Sequence, residues 1–256
     1  MSDAGRDDID DSQQSLISHL VELRARLLKA IATVLAVLVA LIPFANKLYA
    51  WLALPLVSHL PQGGAMIATE VASPFFTPLK LAFWVALFLA MPVVLYQLWA
   101  FVAPGLYRHE KRLAVPLLVL SVLLFYLGCA FAYFFVLPAV FAFMTKIAPA
   151  GVAVMPDIGH YLSFALGLFF AFGACFEVPV VLILLVAMHA VTVEQLAASR
   201  RYMIVAAFAI AAVLTPPDVL SQIMLAVPMI LLYEVGIIGA RLLTRRAQQT
   251  PASTSD

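Results

Sequence analysis

Charged side chains are scarce in this sequence of 256 residues, because Asp, Glu, Lys and Arg together make up only 11% of it. A soluble globular domain carries roughly 25% charged residues. Apolar residues occupy 64% of the positions, and the mean hydropathy is +1.04. A chain of this composition cannot cover itself with a water-compatible surface. The composition therefore excludes a soluble protein and predicts one that lies in a membrane.

Cysteine is also scarce, and both cysteines, Cys129 and Cys175, lie within long apolar runs. Two thiols in that setting indicate small packing residues rather than a disulfide framework or a metal site. The sequence also lacks a phosphate-binding G-x-x-x-x-G-K-[ST] loop, an H-E-x-x-H motif and a G-x-S-x-G motif. We therefore expect neither an enzyme nor a protein that holds a metal ion or a cofactor.

Long stretches without charge remain, and a membrane-spanning helix needs about 20 mostly apolar residues. The gaps between charges predict six spans, at about 27-46, 76-101, 113-138, 159-188, 201-216 and 219-238. Pro55, Pro61 and two glycines interrupt the uncharged stretch 48–69, which indicates an extramembrane loop with a short helix. The predicted fold is all-α, with a polytopic membrane domain at 15-246 between disordered tails at 1-14 and 247-256.

The fifth predicted span is unusually short. The stretch from Arg201 to Pro216 leaves about 15 residues, or about 22 Å of helix. That length falls short of a hydrocarbon core of about 30 Å. Pro216 and Pro217 prevent one continuous helix, so spans five and six are predicted to form a hairpin.

The basic residues are divided unevenly between the two sides that six spans create. Twelve of the 15 Lys and Arg residues fall on the side that holds both termini. These are Arg6, Arg24, Arg26, Lys29, Arg108, Lys111, Arg112, Arg200, Arg201, Arg241, Arg245 and Arg246, whereas Lys47, Lys80 and Lys146 fall on the other. Basic residues near span ends stay in the cytoplasm. Both termini are therefore predicted to be cytoplasmic.

Two acids lie at the predicted cytoplasmic edge. His19, Glu22, Arg26 and Lys29 share one face of an amphipathic helix that leads into the first span. Their spacing also fits an interfacial anchor with a weak surface pair between Glu22 and Arg26. Glu110 stands among three basic residues in the 103–113 loop, where it is either a functional acid or a solvated balance to the basic topology signals.

Three further polar residues lie within or beside the later spans. Glu177 is midway along the fourth span, where a charge costs about 2.5–3.5 kcal/mol on insertion scales. It indicates a functional group that faces protein or water, or a structural hydrogen bond inside the bundle, and Pro179 weakens the helix beside it. Asp218 precedes the last apolar run and fits an N-cap of the sixth span. Gln222 shares its face and can hydrogen-bond another helix in the membrane.

Several motifs occur together in the order found in the TatC family, the multispanning subunits of the twin-arginine protein translocase. They are His19-Leu-Val-Glu22-Leu-Arg24, Ala72-Ser-Pro74-Phe-Phe, Gln97-Leu-Trp99-Ala-Phe101-Val-Ala-Pro104-Gly-Leu-Tyr, His109-Glu110, Phe176-Glu177-Val-Pro179 and Leu214-Thr-Pro-Pro-Asp218. The chain resembles this family from about residue 13 to residue 246. The resemblance implies six spans with both ends cytoplasmic, and a cupped shape whose concave face is roofed by the outer loops.

The resemblance also implies a binding site for a signal peptide with two consecutive arginines. In that site Glu22 and Glu110 receive the arginines, and Arg24 and Phe101 belong to the same cytoplasmic surface. The chemistry fits, because a carboxylate accepts the planar fork of a guanidinium bidentately. Lysine would satisfy that geometry less well.

The remaining implied roles concern the membrane and the partner proteins. The resemblance places Pro55 in the outer roof and Glu177 on the concave side, where it would meet TatA. Asp218 and Gln222 would lie at the outer turn and the short spans on which TatA and TatB dock. The family implies an oligomeric complex in the bacterial cytoplasmic (inner) membrane that exports folded cargo with the proton motive force. The lipid bilayer is the remaining partner, and no nucleic acid is expected.

The sequence supports two other function classes less well than a translocase subunit. A proton-coupled secondary transporter could use Glu177, but such proteins have inverted repeats and a midplane site of several polar groups. This sequence shows one acid there and no repeat. An intramembrane enzyme would need a nucleophile–base pair or a metal dyad, and neither pattern is present.

Overall fold

The structure is a computed structural model that describes residues 4–57, 67–102, 111–147, 157–214 and 219–248. Within these ranges the protein is all-α, as predicted, apart from short turns and an isolated bridge between Ile67 and Asp157. The ten α-helices in this part of the chain are α1 (Ala4–Leu41), α2 (Ala45–Val57), α3 (Ser73–Val102), α4 (Lys111–Phe131), α5 (Leu137–Ile147), α6 (Ile158–Phe176), α7 (Val178–Ala187), α8 (Val193–Ala198), α9 (Arg200–Leu214) and α10 (Val219–Gln248).

Several of these helices join into longer rods. A 3-10 turn at Ile42–Phe44 connects α1 to α2, and Pro43 at its start has no N–H for a helical hydrogen bond. A π-helical turn at Ala132–Val136 connects α4 to α5. Only Glu177 separates α6 from α7. α1 begins at Ala4, within the stretch 1-14 that the sequence predicted as a disordered tail. The predicted start of the membrane domain at residue 15 stays a prediction.

Five helical segments of the described chain are long and apolar enough to cross a membrane. They are Leu20–Leu52, Ser73–Phe101, Ala114–Val140, Ile158–Ala187 and Gln222–Thr244. α9 is not among them, because its 15 residues reach only about 22 Å. The short fifth helix is thus present as the sequence predicted, while the count of six spans stays a prediction.

The segment predicted as a loop with a short helix contains α2. The phenolic hydroxyl of Tyr161 in α6 donates a hydrogen bond to the carbonyl oxygen of Leu52 at 3.0 Å. This bond fixes α2 against the start of α6. Pro55 lies in the last turn of α2.

The core of the bundle relies on close helix approach. Lipid is as apolar as leucine, so helices in a membrane associate by tight packing at small residues. A Cβ atom at Gly128 of α4 would lie 2.5 Å from the carbonyl oxygen of Phe172 in α6. A Cβ atom at Gly236 of α10 would lie 2.9 Å from the Cα atom of Pro179 in α7. These glycines bring α4 against α6 and α10 against α7, around fully buried residues such as Phe172.

α1 packs along α3 in the opposite direction. Leu38, near the end of α1, and Ile42, directly after α1, line the same cavity as Ser73 and Thr77, at the start of α3. The start of the α1 span and the end of α3 therefore lie at the opposite end of the bundle. This arrangement brings the end that carries Glu22 to the end that carries Phe101.

Candidate functional site

Glu22 lies in α1 one turn before Arg26, and the two side chains form an ion pair. Arg26 Nε donates to Glu22 Oε1 at 2.9 Å, and a terminal guanidinium nitrogen donates to the same oxygen. The i,i+4 spacing places the two side chains on one face of the helix. Both side chains remain partly exposed. The pair predicted from the spacing is present, and it uses one oxygen of the carboxylate.

Two of the other residues predicted for the signal-peptide site lie at the same end of the bundle as Glu22. Arg24 is exposed on α1, and Phe101 is half-buried near the end of α3. Glu110 lies outside the described residues. The antiparallel packing of α1 and α3 thus places Glu22, Arg24 and Phe101 at one end, whereas their contact with Glu110 stays a prediction.

Glu177 occupies a break in the helix that forms the fourth apolar segment. α6 ends at Phe176 and α7 begins at Val178. Pro179 has no backbone N–H and its ring crowds the carbonyl of the preceding turn, so the helix cannot continue regularly. The sequence predicted that Pro179 would weaken the helix here, and the break confirms it.

The Glu177 side chain points into the bundle with only half of its carboxylate satisfied. The Ser121 hydroxyl of α4 donates a hydrogen bond to Oε2. Oε1 is buried and has no hydrogen-bond partner within the described part of the chain. The residue Glu177 lines a cavity of about 150 Å³ together with Trp99 and Val180. An unsatisfied buried polar atom is costly, so this oxygen calls for a hydrogen-bond donor that the described residues do not supply.

Gln222 makes a contact within the chain. Its Nε2 donates to the carbonyl oxygen of Phe208 in α9 at 3.0 Å, which joins α10 to α9. The side chain is half-buried, and a contact with a partner protein through its amide oxygen stays a prediction. Asp218 lies outside the described residues, so its predicted capping role stays a prediction too.

Two polar residues with evident structural roles were not predicted from the sequence. Ser121 is buried in α4 and holds Glu177. Asp157 caps α6, because its Oδ1 accepts from the backbone N–H groups of Gly159 and His160 at 2.8 and 2.9 Å. An Asp directly before an apolar run is a recognisable N-cap signal, whereas a single Ser within a long apolar run gives no such signal.

Asp157 also reaches a distant part of the chain. Its Oδ2 accepts from the backbone N–H and the hydroxyl of Thr69 at 2.9 and 2.7 Å. These hydrogen bonds, the Thr69 hydroxyl first among them, hold the pKa of the Asp157 carboxyl well below its usual range. The carboxylate thus fastens the segment before α3 to the start of α6.

The described residues contain no group of three or more His, Cys, Asp or Glu side chains that could hold a metal ion. Cys175 is buried and Cys129 is half-buried, and the two thiols are free. Both cysteines pack within the bundle, as their apolar surroundings in the sequence predicted.

Comparison with known proteins identifies the family. The family model described as Sec-independent protein translocase protein (TatC) matches residues 18–228. Sec-independent protein translocase protein TatC of Azotobacter chroococcum mcd 1 is 55% identical over 245 residues, which are 95% of this chain and 95% of that protein. The TatC protein of Escherichia coli (strain K12) is 54% identical over 231 residues, which are 90% of each chain.

A solved structure has the same fold. The crystal structure of a twin arginine translocase receptor, TatC, superposes with a TM-score of 0.79 at 41% sequence identity. The match covers 89% of this chain and 100% of that chain. The chain therefore belongs to the TatC family, whose members are multi-pass membrane proteins and non-enzymatic subunits of the Sec-independent protein translocase.

Proposed function

We propose that this protein is the receptor subunit of a twin-arginine translocase and that Glu22 contributes to its signal-peptide site. The observation that carries the proposal is the partly exposed Glu22 carboxylate, which lies at the same end of the bundle as Phe101 and gives only one of its oxygens to Arg26. The related protein of known structure is described as a twin arginine translocase receptor, which supports the same role here.

The geometry of the pair leaves room for a second arginine. Both contacts from Arg26 use Oε1, and the Glu22 side chain is 37% exposed. A carboxylate has about four lone-pair positions on two oxygens. An arginine of the signal peptide can therefore approach Oε2 while Arg26 keeps Oε1. The second arginine would require Glu110, and Phe101 would form an apolar border of the site.

Assembly with TatA and TatB would involve other surfaces. Glu177 Oε1 is a buried acceptor with no partner in the described chain, and it suits a polar side chain of TatA. α9 is too short to cross a hydrocarbon core alone, which favours coverage of that region by a single-span helix. Gln222 lies on α10 beside α9 and can offer its amide oxygen there.

The proposed orientation follows from the basic residues. The end that carries Glu22, Arg24 and Arg26 faces the cytoplasm, as does the C-terminus after α10. The protein would thus lie in the bacterial inner membrane, where the signal peptide of a folded cargo meets it from the cytoplasmic side. A complex of several TatB and TatC-family subunits is the proposed setting.

The test uses a photo-crosslinkable twin-arginine peptide and the full-length protein in membranes. Glu22→Ala and Glu110→Ala should each reduce crosslinking at least about tenfold, as expected for the loss of a charge-assisted hydrogen bond. Replacing both peptide arginines by lysines should weaken crosslinking to the unmodified protein as well.

Glu194→Ala is the matched control, since Glu194 is an exposed acid on the same predicted side. It should leave crosslinking unchanged. Undiminished crosslinking in both the Glu22→Ala and Glu110→Ala proteins would contradict the site assignment.

A further inference from the structure

A second polar site lies at the end of the bundle opposite Glu22. It is a cavity of about 790 Å³, bounded by the end of α1, the first turns of α3 and the first turns of α6. Ligand pockets commonly have volumes of about 300–1,000 Å³. Leu38, Phe76 and Phe83 contribute apolar surface to its lining, and Thr77, Lys80 and Ser163 contribute polar groups.

Lys80 is the unusual residue of this cavity. It lies seven residues after Ser73, the first residue of α3, which is about 10 Å along the helix axis. It therefore stands inside an apolar segment, Ser73–Phe101, that is long enough to cross the membrane. The side chain is exposed rather than packed in the bundle. A charge at this depth is costly unless it reaches the interface or meets an anion.

The protein provides Lys80 with a neutral partner. The Lys80 ammonium donates to the hydroxyl oxygen of Ser163 in α6 at 2.7 Å. Ser163 in turn donates to the carbonyl oxygen of Gly159 at 2.7 Å, so the hydroxyl is held in place. The ion pairs of the described chain join Glu22 to Arg26, Asp157 to His160 and Arg200 to Glu234. None of these pairs includes Lys80.

Neither of the acids that line the cavity, Asp157 and Glu70, forms an ion pair with Lys80 in the described part of the chain. Both oxygens of Asp157 accept hydrogen bonds from Thr69, Gly159 and His160, and its Oδ1 lies 3.2 Å from His160 Nδ1. Glu70 is exposed three residues before α3 begins, at the rim of the cavity. The cavity thus presents a cation at depth, an acid at its rim and an apolar wall along α1 and α3.

We propose that this cavity binds a membrane phospholipid. The phosphodiester accepts from the Lys80 ammonium beside Ser163, and an acyl chain lies along the wall of Leu38 and Phe83. A lysine binds phosphate as a point charge. Glu70 at the rim favours a zwitterionic headgroup with a primary ammonium over a headgroup of net negative charge.

The headgroup carries the specificity of this site. An acyl chain gains little on moving from lipid to an apolar protein surface, since both surroundings are hydrocarbon. The difference between a site lipid and a bulk lipid must then come from Lys80. A bound lipid would contact α1, α3 and α6 together and would brace the same end of the bundle that Asp157 fastens.

The experiment measures phospholipid binding to the purified full-length protein in detergent by native mass spectrometry. Phosphatidylethanolamine is the probe. Lys80→Gln should weaken its apparent affinity by roughly tenfold, the effect of one charge-assisted contact. Lys80→Arg keeps the cation and should bind within about threefold of the unmodified protein. Lys47→Gln is the matched control, because Lys47 is an exposed lysine on the same predicted side that does not line the cavity.

Three results would overturn the proposal. Equal binding by the unmodified and Lys80→Gln proteins would remove the role of the cation. Diacylglycerol that binds as well as the phospholipid would show that the phosphate is not recognised. Displacement of the lipid by excess inorganic phosphate would show a site for the free anion. If Lys80→Gln does not fold, Ser163→Ala tests the same contact and should weaken binding severalfold.

Discussion

Asp157 and Glu177 stand at the two ends of α6, separated by its 19 residues, and their carboxylates have different surroundings. The oxygens of Asp157 accept hydrogen bonds from both sides, two from the start of α6 and two from Thr69. Glu177 receives one from Ser121, and its other oxygen is buried without a partner in the described chain. Both oxygens of Asp157 therefore have donors within the protein, whereas one oxygen of Glu177 has none among the described residues.

We expect this difference to distinguish an acid with a structural role from one that binds a second molecule. A satisfied carboxylate at a helix N-terminus stabilises that helix through its N–H groups and its dipole. A buried oxygen without a donor lowers stability, so such an atom in a native structure calls for an explanation, such as a bound water, an ion or a functional partner. Substitution should therefore separate the two acids, with an effect on transport at Glu177 and an effect on stability at Asp157.

The largest expected effect is on transport in the Glu177→Ala protein. Loss of the open carboxylate should reduce export of a twin-arginine cargo by about tenfold or more, the equivalent of about 1.4 kcal/mol of partner contact. The melting temperature should change little, because only the bond from Ser121 is lost. Export assays in cells and thermal unfolding in detergent measure the two quantities.

Glu177→Gln is the matched control for this substitution. It keeps the side-chain length and a carbonyl oxygen for Ser121, so it should retain more transport than Glu177→Ala. Full transport by Glu177→Ala would show that the open oxygen has no role in function, and the comparison with Asp157 would then fail.

The next effect concerns the packing that places Ser121 beside Glu177. In Gly128→Ala the new Cβ atom would lie 2.5 Å from a backbone oxygen of α6, so α4 must move away. Overpacking of this kind costs about 1–3 kcal/mol of unfolding free energy. Thermal unfolding followed by circular dichroism should show a lower midpoint.

Gly167→Ala tests whether the close approach causes that loss. Gly167 lies in α6, and a Cβ atom there meets nothing within 4 Å. This variant should be neutral or more stable by up to about 1 kcal/mol, because alanine favours helix over glycine. Equal destabilisation by both substitutions would show that the α4–α6 contact is not tight.

A smaller effect is expected at Asp157. Asp157→Ala removes the N-cap of α6 together with both hydrogen bonds to Thr69, and it should lower the melting temperature by several degrees. Transport should fall less than in Glu177→Ala. Asp157→Asn keeps a capping oxygen, so its melting temperature should lie between those of the unmodified protein and Asp157→Ala. An unchanged midpoint in Asp157→Ala would contradict the structural role.

The sequence was sufficient for much of the fold. Gaps between charges located the apolar segments, and the short α9 and the break at Glu177 followed from the positions of Arg201, Pro216 and Pro179. These features are local, so they can be read along the chain. The pairing of Glu22 with Arg26 is local as well, since the two residues are one helical turn apart.

The contacts that distinguish Asp157 from Glu177 could not be predicted from the sequence. Asp157 meets Thr69 across 88 positions, and Glu177 meets Ser121 across 56. A single sequence does not reveal such pairs, because a Ser or a Thr in an apolar stretch is compatible with many neighbours. Lys80 was predicted only as a basic residue of the outer side. Its depth in α3 and its contact with Ser163 required the packed bundle.

The smallest expected effect is the pH dependence of the Asp157 contacts. The folded protein holds the pKa of Asp157 below the value of about 3.9 that an unfolded chain has. The folded state therefore binds fewer protons at this group, and its contribution to stability is complete above the unfolded pKa. As the pH falls below about 4, the unfolded state takes up the proton first, and the contribution is lost through the folded pKa. The difference in melting temperature between the unmodified protein and Asp157→Asn, measured from neutral to acidic pH, should shrink in that range. A difference that stays constant would show that the charge of Asp157 does not stabilise this end of the bundle.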